Sequence, residues 1–121
     1  MLAHELLEDE GTLIVRPSSP LRKADFEALS REIDPYLEKK GKLHGLLVEA
    51  ESFPGWDDFA AMLAHFRFVR DHHRKIEKVA AASDSGFLKI GPAIARHFVA
   101  AEIRRFDYAE RNEALAWLRG G

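Results

Sequence analysis

The chain has 121 residues, no cysteine, and a net charge of −2 from 18 Lys and Arg against 20 Asp and Glu. That length suits one domain over residues 1–121, burying roughly two thirds of the surface its unfolded form exposes. Disulfides, thiolate catalysis and sulfur-ligated zinc are excluded, and the balanced charge offers no basic field for nucleic acid.

Taken in order, Met1 to Glu10 carries Glu5, Glu8, Asp9 and Glu10 in place of the positive flank and apolar core of a leader. No window reaches the ~18 apolar residues of a membrane span, so a cytoplasmic protein is expected. Leu6-Leu7 and Leu13-Ile14-Val15, separated by Glu8-Asp9-Glu10-Gly11, predict a hairpin. Phe26, Leu29, Ile33, Tyr36 and Leu37 then recur at helical spacing, with Pro35 predicting a kink or a tightened last turn before Gly41.

Leu43 to Ala50 predicts a buried strand opening into the turn-rich segment Glu51 to Trp56. Asp57 to His73 returns to helical spacing through Phe59, Ala60, Leu63, Phe66 and Val69. Ile76 to Ala82 predicts an apolar strand, and Phe87 to Phe98 a short apolar helix interrupted near Gly91-Pro92. Glu102 to Phe106 alternates as a strand whose charges predict a place near an edge. A last helix is expected from Tyr108 to Arg119, opened by a capping box of Asp107 and Glu110. The alternation predicts an α/β fold: about five strands in a mostly parallel sheet, with right-handed crossovers and about four helices.

In such sheets the loop at the carboxyl end of a central strand is the usual site of contact. Here that is Ser52, Phe53, Trp56, Asp57, Asp58 and Phe59. Glu49, Glu51, Asp57 and Asp58 supply carboxylates, but Asp57 and Asp58 stand where helix caps stand, Glu49 being the least explained. His65, His72, His73 and His97 form no His-Glu-x-x-His pattern, so no metal is expected, and replacing them is expected to cost little. Trp56 reads as core or as a contact anchor, its apolar area favouring core. With Phe59, Leu63 and Phe66 turned inward, Met62 and Phe68 fall on another side of the helix, as an apolar patch or a second buried face. Ser83-Asp84-Ser85-Gly86 lacks the spacing of a phosphate loop, which leaves Ser83 and Asp84 as caps.

The runs Ala24 to Leu29, Gly41 to Glu49, Phe53-Pro54-Gly55-Trp56, Glu77 to Ala80, Ala101 to Phe106 and Ala114 to Leu118 together resemble the SpoIIAA-like family. The resemblance spans almost the whole chain and implies a single STAS-type domain, bacterial and mostly non-enzymatic, wound as in anti-anti-sigma factors. Those factors carry a phosphorylatable serine at the start of the helix after the third strand. Here the matching place, Trp56 to Phe59, holds Asp57 and Asp58, and Ser52 lies several residues earlier, so the phospho-switch does not carry over. The expected function is a non-catalytic regulatory or protein-binding domain without a cofactor, acting on a protein partner or by self-association as a homodimer. The alternative is a small carrier of an apolar or lipid-like molecule, covered by Phe87, Leu88, Ile90 and Ile94.

Overall fold

The computed structural model describes residues 2–51, 55–83 and 102–120. They form a five-stranded sheet in the order β1-β2-β3-β4-β5, with β1 Leu2–Leu7, β2 Thr12–Pro17, β3 Leu43–Glu49, β4 Ile76–Ala82 and β5 Glu102–Phe106. The β1–β2 pair is antiparallel and every other pair parallel. Among the described residues the helices are α1 Lys23–Lys40, α2 Phe59–His72 and α3 Arg111–Leu118, with a 3₁₀ turn His73–Lys75. The expected helix over Phe87 to Phe98 lies outside the described residues.

The hairpin forms as the sequence predicts, although β1 begins at Leu2, four residues before the expected apolar pair. Gly11 closes the turn at φ 64°, and a Cβ there would lie 3.0 Å from the Tyr36 hydroxyl. A side chain is disfavoured both by backbone conformation and by space.

Helix α1 buries Phe26, Leu29, Ile33 and Leu37, the stripe its spacing predicts. Its start is tied by the Asp25 carboxylate, which accepts from the Arg22 N–H at 2.9 Å and the Leu2 N–H at 3.1 Å. The helix runs on through Pro35 to Lys40, where the Gly41 N–H caps the Leu37 carbonyl at 2.7 Å. Because proline removes only its own N–H, the loss inside an 18-residue helix is one hydrogen bond, outweighed by the buried stripe on both sides.

Both α1 and α2 pack on one face of the sheet, as right-handed crossovers between strands laid side by side require. Helix α3 covers the other face, where Ala114, Leu115 and Leu118 meet Ile14, Leu47, Ala80, Ala82 and Phe106. Gly45 on β3 permits that approach, since a Cβ would lie 3.0 Å from Leu118 Cδ2. The helix begins at Arg111, three residues later than expected, after a turn in which the Glu110 N–H donates to the Asp107 carbonyl at 2.9 Å. Half of the predicted capping box forms: the Glu110 carboxylate accepts from the Asp107 N–H at 2.8 Å, while the Asp107 carboxylate pairs with Arg105.

Helix α2 differs from the sequence reading in the face it buries. Its inward residues are Ala61, Val69 and His72, with Ala64 and Phe68 packed against the same core. Phe59, expected inside, is 69% exposed, and of the two readings of Phe68, outer patch or second buried face, the second holds, since it packs on the core. The helix has apolar residues on two sides, and the inward stripe contains His65 and His72, whose polarity disguised it.

Candidate functional site

Strands β2 to β5 all end at one edge, and the loops leaving it are stitched together by main chain. The Leu21 N–H donates to the Gly55 carbonyl oxygen and the Asp57 N–H to the Leu21 carbonyl oxygen, each at 2.8 Å. This short parallel bridge joins the loop before α1 to the loop before α2, with Gly55 at φ 85°. The turn then enters α2 through Asp58, whose carboxylate accepts the Ala61 N–H at 2.8 Å as an N-cap should. Asp57 contributes only its backbone to the bridge, and its side chain is exposed. Phe59 follows, the most exposed large apolar side chain among the described residues. Ser52 and Phe53, expected in the same surface, lie outside the described residues, as do Phe87, Leu88, Ile90 and Ile94.

Trp56 is half-buried and packs on the core. Its Nε1 donates to His65 Nδ1 at 3.0 Å, which places the remaining ring proton of a neutral His65 on Nε2. His65 in turn stacks on Phe26, ring centroids 4.8 Å apart, and Phe66 meets the Trp56 ring edge-on at 5.9 Å. The indole therefore serves packing and orientation together. His72 faces a different set: Nδ1 lies 2.7 Å from the Phe68 carbonyl oxygen and Nε2 2.8 Å from Asp34 Oδ1. The ring thus sits between the α2 backbone and the Asp34 carboxylate of α1 and ties the two helices together. The two histidines share a helix face but not a ligand-like focus, and the expectation that replacing His72 costs little does not fit this burial.

Beneath the bridge is a cavity of about 180 Å³ between the sheet and the two helices. Two register rows form its floor. Leu13, Leu46, Val79 and Ile103 make one, and Val15, Val48, Ala81 and Arg105 the other, nearer the strand ends. Phe26, Leu29 and Ile33 of α1 and His65, Phe68 and Val69 of α2 close it from above. The lining is apolar except for His65 and Arg105. Arg105 Nη2 donates to the Ser83 carbonyl oxygen at 3.3 Å and lies 3.3 Å from Asp107 Oδ1.

Glu49, unexplained from sequence, is an ionic hub on the opposite face of this edge. Its side chain is 10% exposed, with Oε1 2.9 Å from Arg16 Nε and Oε2 2.9 Å from Arg111 Nε. The Arg16 contact is a hydrogen bond, and the Arg111 N–H is not aligned for one. The carboxylate thus joins β2, β3 and the first turn of α3. Ser83, expected as a cap, is also structural: it is buried, its Oγ donates to the Glu51 carbonyl at 3.3 Å and its N–H to the Phe106 carbonyl at 3.0 Å. Among the described residues no group of three or more His, Asp or Glu side chains is arranged to hold a metal ion.

The sequence profile of the SpoIIAA-like family matches residues 12–119. The chain belongs to the SpoIIAA-like family. A crystal structure of an uncharacterized protein with a SpoIIAA-like fold from Shewanella loihica superposes with a TM-score of 0.70 at 18% identity, covering 98% of this chain and 92% of that one. At that identity the likeness speaks for the fold. No curated protein sequence matches. Family and fold together make this SpoIIAA-like chain a STAS-type regulatory or binding domain. None of the helices among its described residues is long and apolar enough to cross a membrane.

The residues that sequence reasoning missed are Arg105, His65 and the partners of Glu49. The charges of β5 predict its place at the sheet edge, which holds, but not that Arg105 lines the cavity. The period-2 alternation held the signal, since with Ile103 inward Arg105 must face the same side.

Proposed function

We propose that this SpoIIAA-like chain is a non-catalytic domain that works by contact with a protein partner, through the loop ending at Trp56 and the first turn of α2. The observation that carries this reading is Phe59, 69% exposed at the carboxyl edge of the sheet and flanked by exposed Asp57 and Asp58. An apolar ring with an acidic rim matches the anatomy of a contact surface, in which an aromatic anchor supplies affinity and charges set register. Asp57 and Asp58 add standing negative charge where anti-anti-sigma factors carry their switchable serine. The contact is then constitutive instead of phosphorylation-controlled.

Phe59→Ala tests it cleanly, because the side chain touches little of the core. Binding to the captured partner, or self-association if a second copy is the partner, should weaken at least tenfold, while the unfolding free energy stays within about 0.5 kcal/mol. Unchanged association would reject the surface. Native mass spectrometry of the protein from its own host supplies the partner: a homodimer or a complex with a second polypeptide fits this reading.

The cavity favours a second reading, carriage of a small apolar molecule. Its walls are apolar apart from His65 and Arg105, so a small apolar molecule would bury its own surface and theirs together. Extra mass that disappears on denaturation would identify a cargo, and Ala81→Leu, which fills the floor between Val48 and Arg105, should expel it. Retention of the cargo in that variant would count against the cavity as its site.

A further inference from the structure

This inference rests on the cavity reading and names the chemistry of what the cavity takes. Its floor is asymmetric. The row Val15, Val48, Ala81 is apolar and ends, on the edge strand, in the guanidinium-bearing Arg105. The row below it ends in Ile103, so charge is confined to the strand ends, where the chain turns toward solvent. The Arg105 side chain is 34% exposed and its contacts are weak for a guanidinium: Nη2 alone reaches the Ser83 carbonyl and Asp107, both at 3.3 Å, and the Asp107 side chain is 68% exposed. No further partner of Arg105 is present among the described residues. A planar fork with five donors is thus occupied on one nitrogen only, beside an apolar space.

We propose that the cavity binds a monocarboxylate amphiphile, its tail over Val48 and Ala81 and its carboxylate on Arg105 in the place of Asp107. One guanidinium matches one carboxylate in charge and in bidentate geometry, whereas a phosphate dianion would bring a second charge toward Asp107 with nothing to neutralise it. The volume sets the tail. A cavity of about 150 Å³ accommodates a benzene ring, so about 180 Å³ takes an aryl group or roughly six to eight carbons.

The test titrates the full chain, stripped of cargo, with sodium octanoate and with 1-octanol near neutral pH, following the amide resonances of Val48, Ala81 and Ile103. Octanoate should bind about tenfold more tightly than octanol, and only octanoate should weaken with added salt. Arg105→Gln should abolish that preference while leaving octanol affinity within about twofold. Asp107→Asn, which removes the competing carboxylate, should tighten octanoate severalfold, a gain that partial unfolding cannot produce. Equal affinities for both compounds, unmoved by either variant, would overturn the headgroup assignment and leave the apolar-ligand reading standing. Failure of both compounds to shift those resonances would remove the apolar-ligand reading, and this inference with it.

Discussion

His72 and Glu49 are the residues whose side chains bind separate elements into one body. His72→Phe keeps a ring against Phe68, now stacked at 4.2 Å, but removes the polar contacts to the Phe68 carbonyl and Asp34 from a side chain only 10% exposed. The expected loss is about 1–3 kcal/mol of unfolding free energy, read from urea denaturation with an unchanged slope. Glu49→Gln keeps the shape and leaves Arg16 and Arg111 without their shared countercharge. Because both arginines are more than a third exposed, water takes up part of the loss, and about 1 kcal/mol is expected. By contrast the Arg119 guanidinium, raised above its ordinary range by its bond to Glu10, is exposed and its pair should contribute little. A raised arginine stays charged at every accessible pH, so it gives stability no pH dependence in the working range.

At the scale of elements, strands β4 and β5 fall within the bounds read from sequence, since a short apolar run between turn signals and an alternating charged run are both local patterns. Helix α1 was legible for the same reason. The buried face of α2 was not, because Phe59, Leu63 and Phe66 compete with Ala61, Phe68 and Val69, and the choice is made by the Leu21–Trp56 bridge that orients the first turn. Glu49 could not be read from local pattern at all: its meaning depends on Arg16 and Arg111, which the fold brings from two other elements. The α3 interface rests on one missing side chain. Gly45→Ala drives a Cβ to 3.0 Å from Leu118, which is fully buried and has nowhere to swing, so a loss of about 1–3 kcal/mol is expected in thermal or chemical unfolding.

For the whole molecule, the two sheet faces are packed unequally. The α3 face is closed by one short helix packed on Ile14, Leu47, Ala80, Ala82 and Phe106, while the α1 and α2 face retains the cavity. That inequality gives opposite signs to one substitution. Without cargo, Ala81→Leu should raise the melting temperature by filling space; with cargo bound, the unsubstituted chain should be the more stable, by an amount that grows with ligand concentration. A thermal shift measured with and without octanoate reads both. Composition and periodicity announced one α/β domain of this class, but no periodicity reports a void, which exists only where residues distant in sequence fail to meet.

The strand order also bears on how the protein is made. Its five strands lie across the sheet in the order in which a ribosome delivers them, and each parallel strand pairs with the one emitted before it. A nascent chain that has released Ala82 already holds four neighbouring strands together with α1 and α2. Assembly can therefore proceed vectorially, with no early strand waiting for a distant partner. The segment left exposed longest would be the α3 face, and a ribosome stalled shortly after Phe106 should display Ile14, Leu47 and Ala80 as a transient apolar surface that the last eight-residue helix then covers.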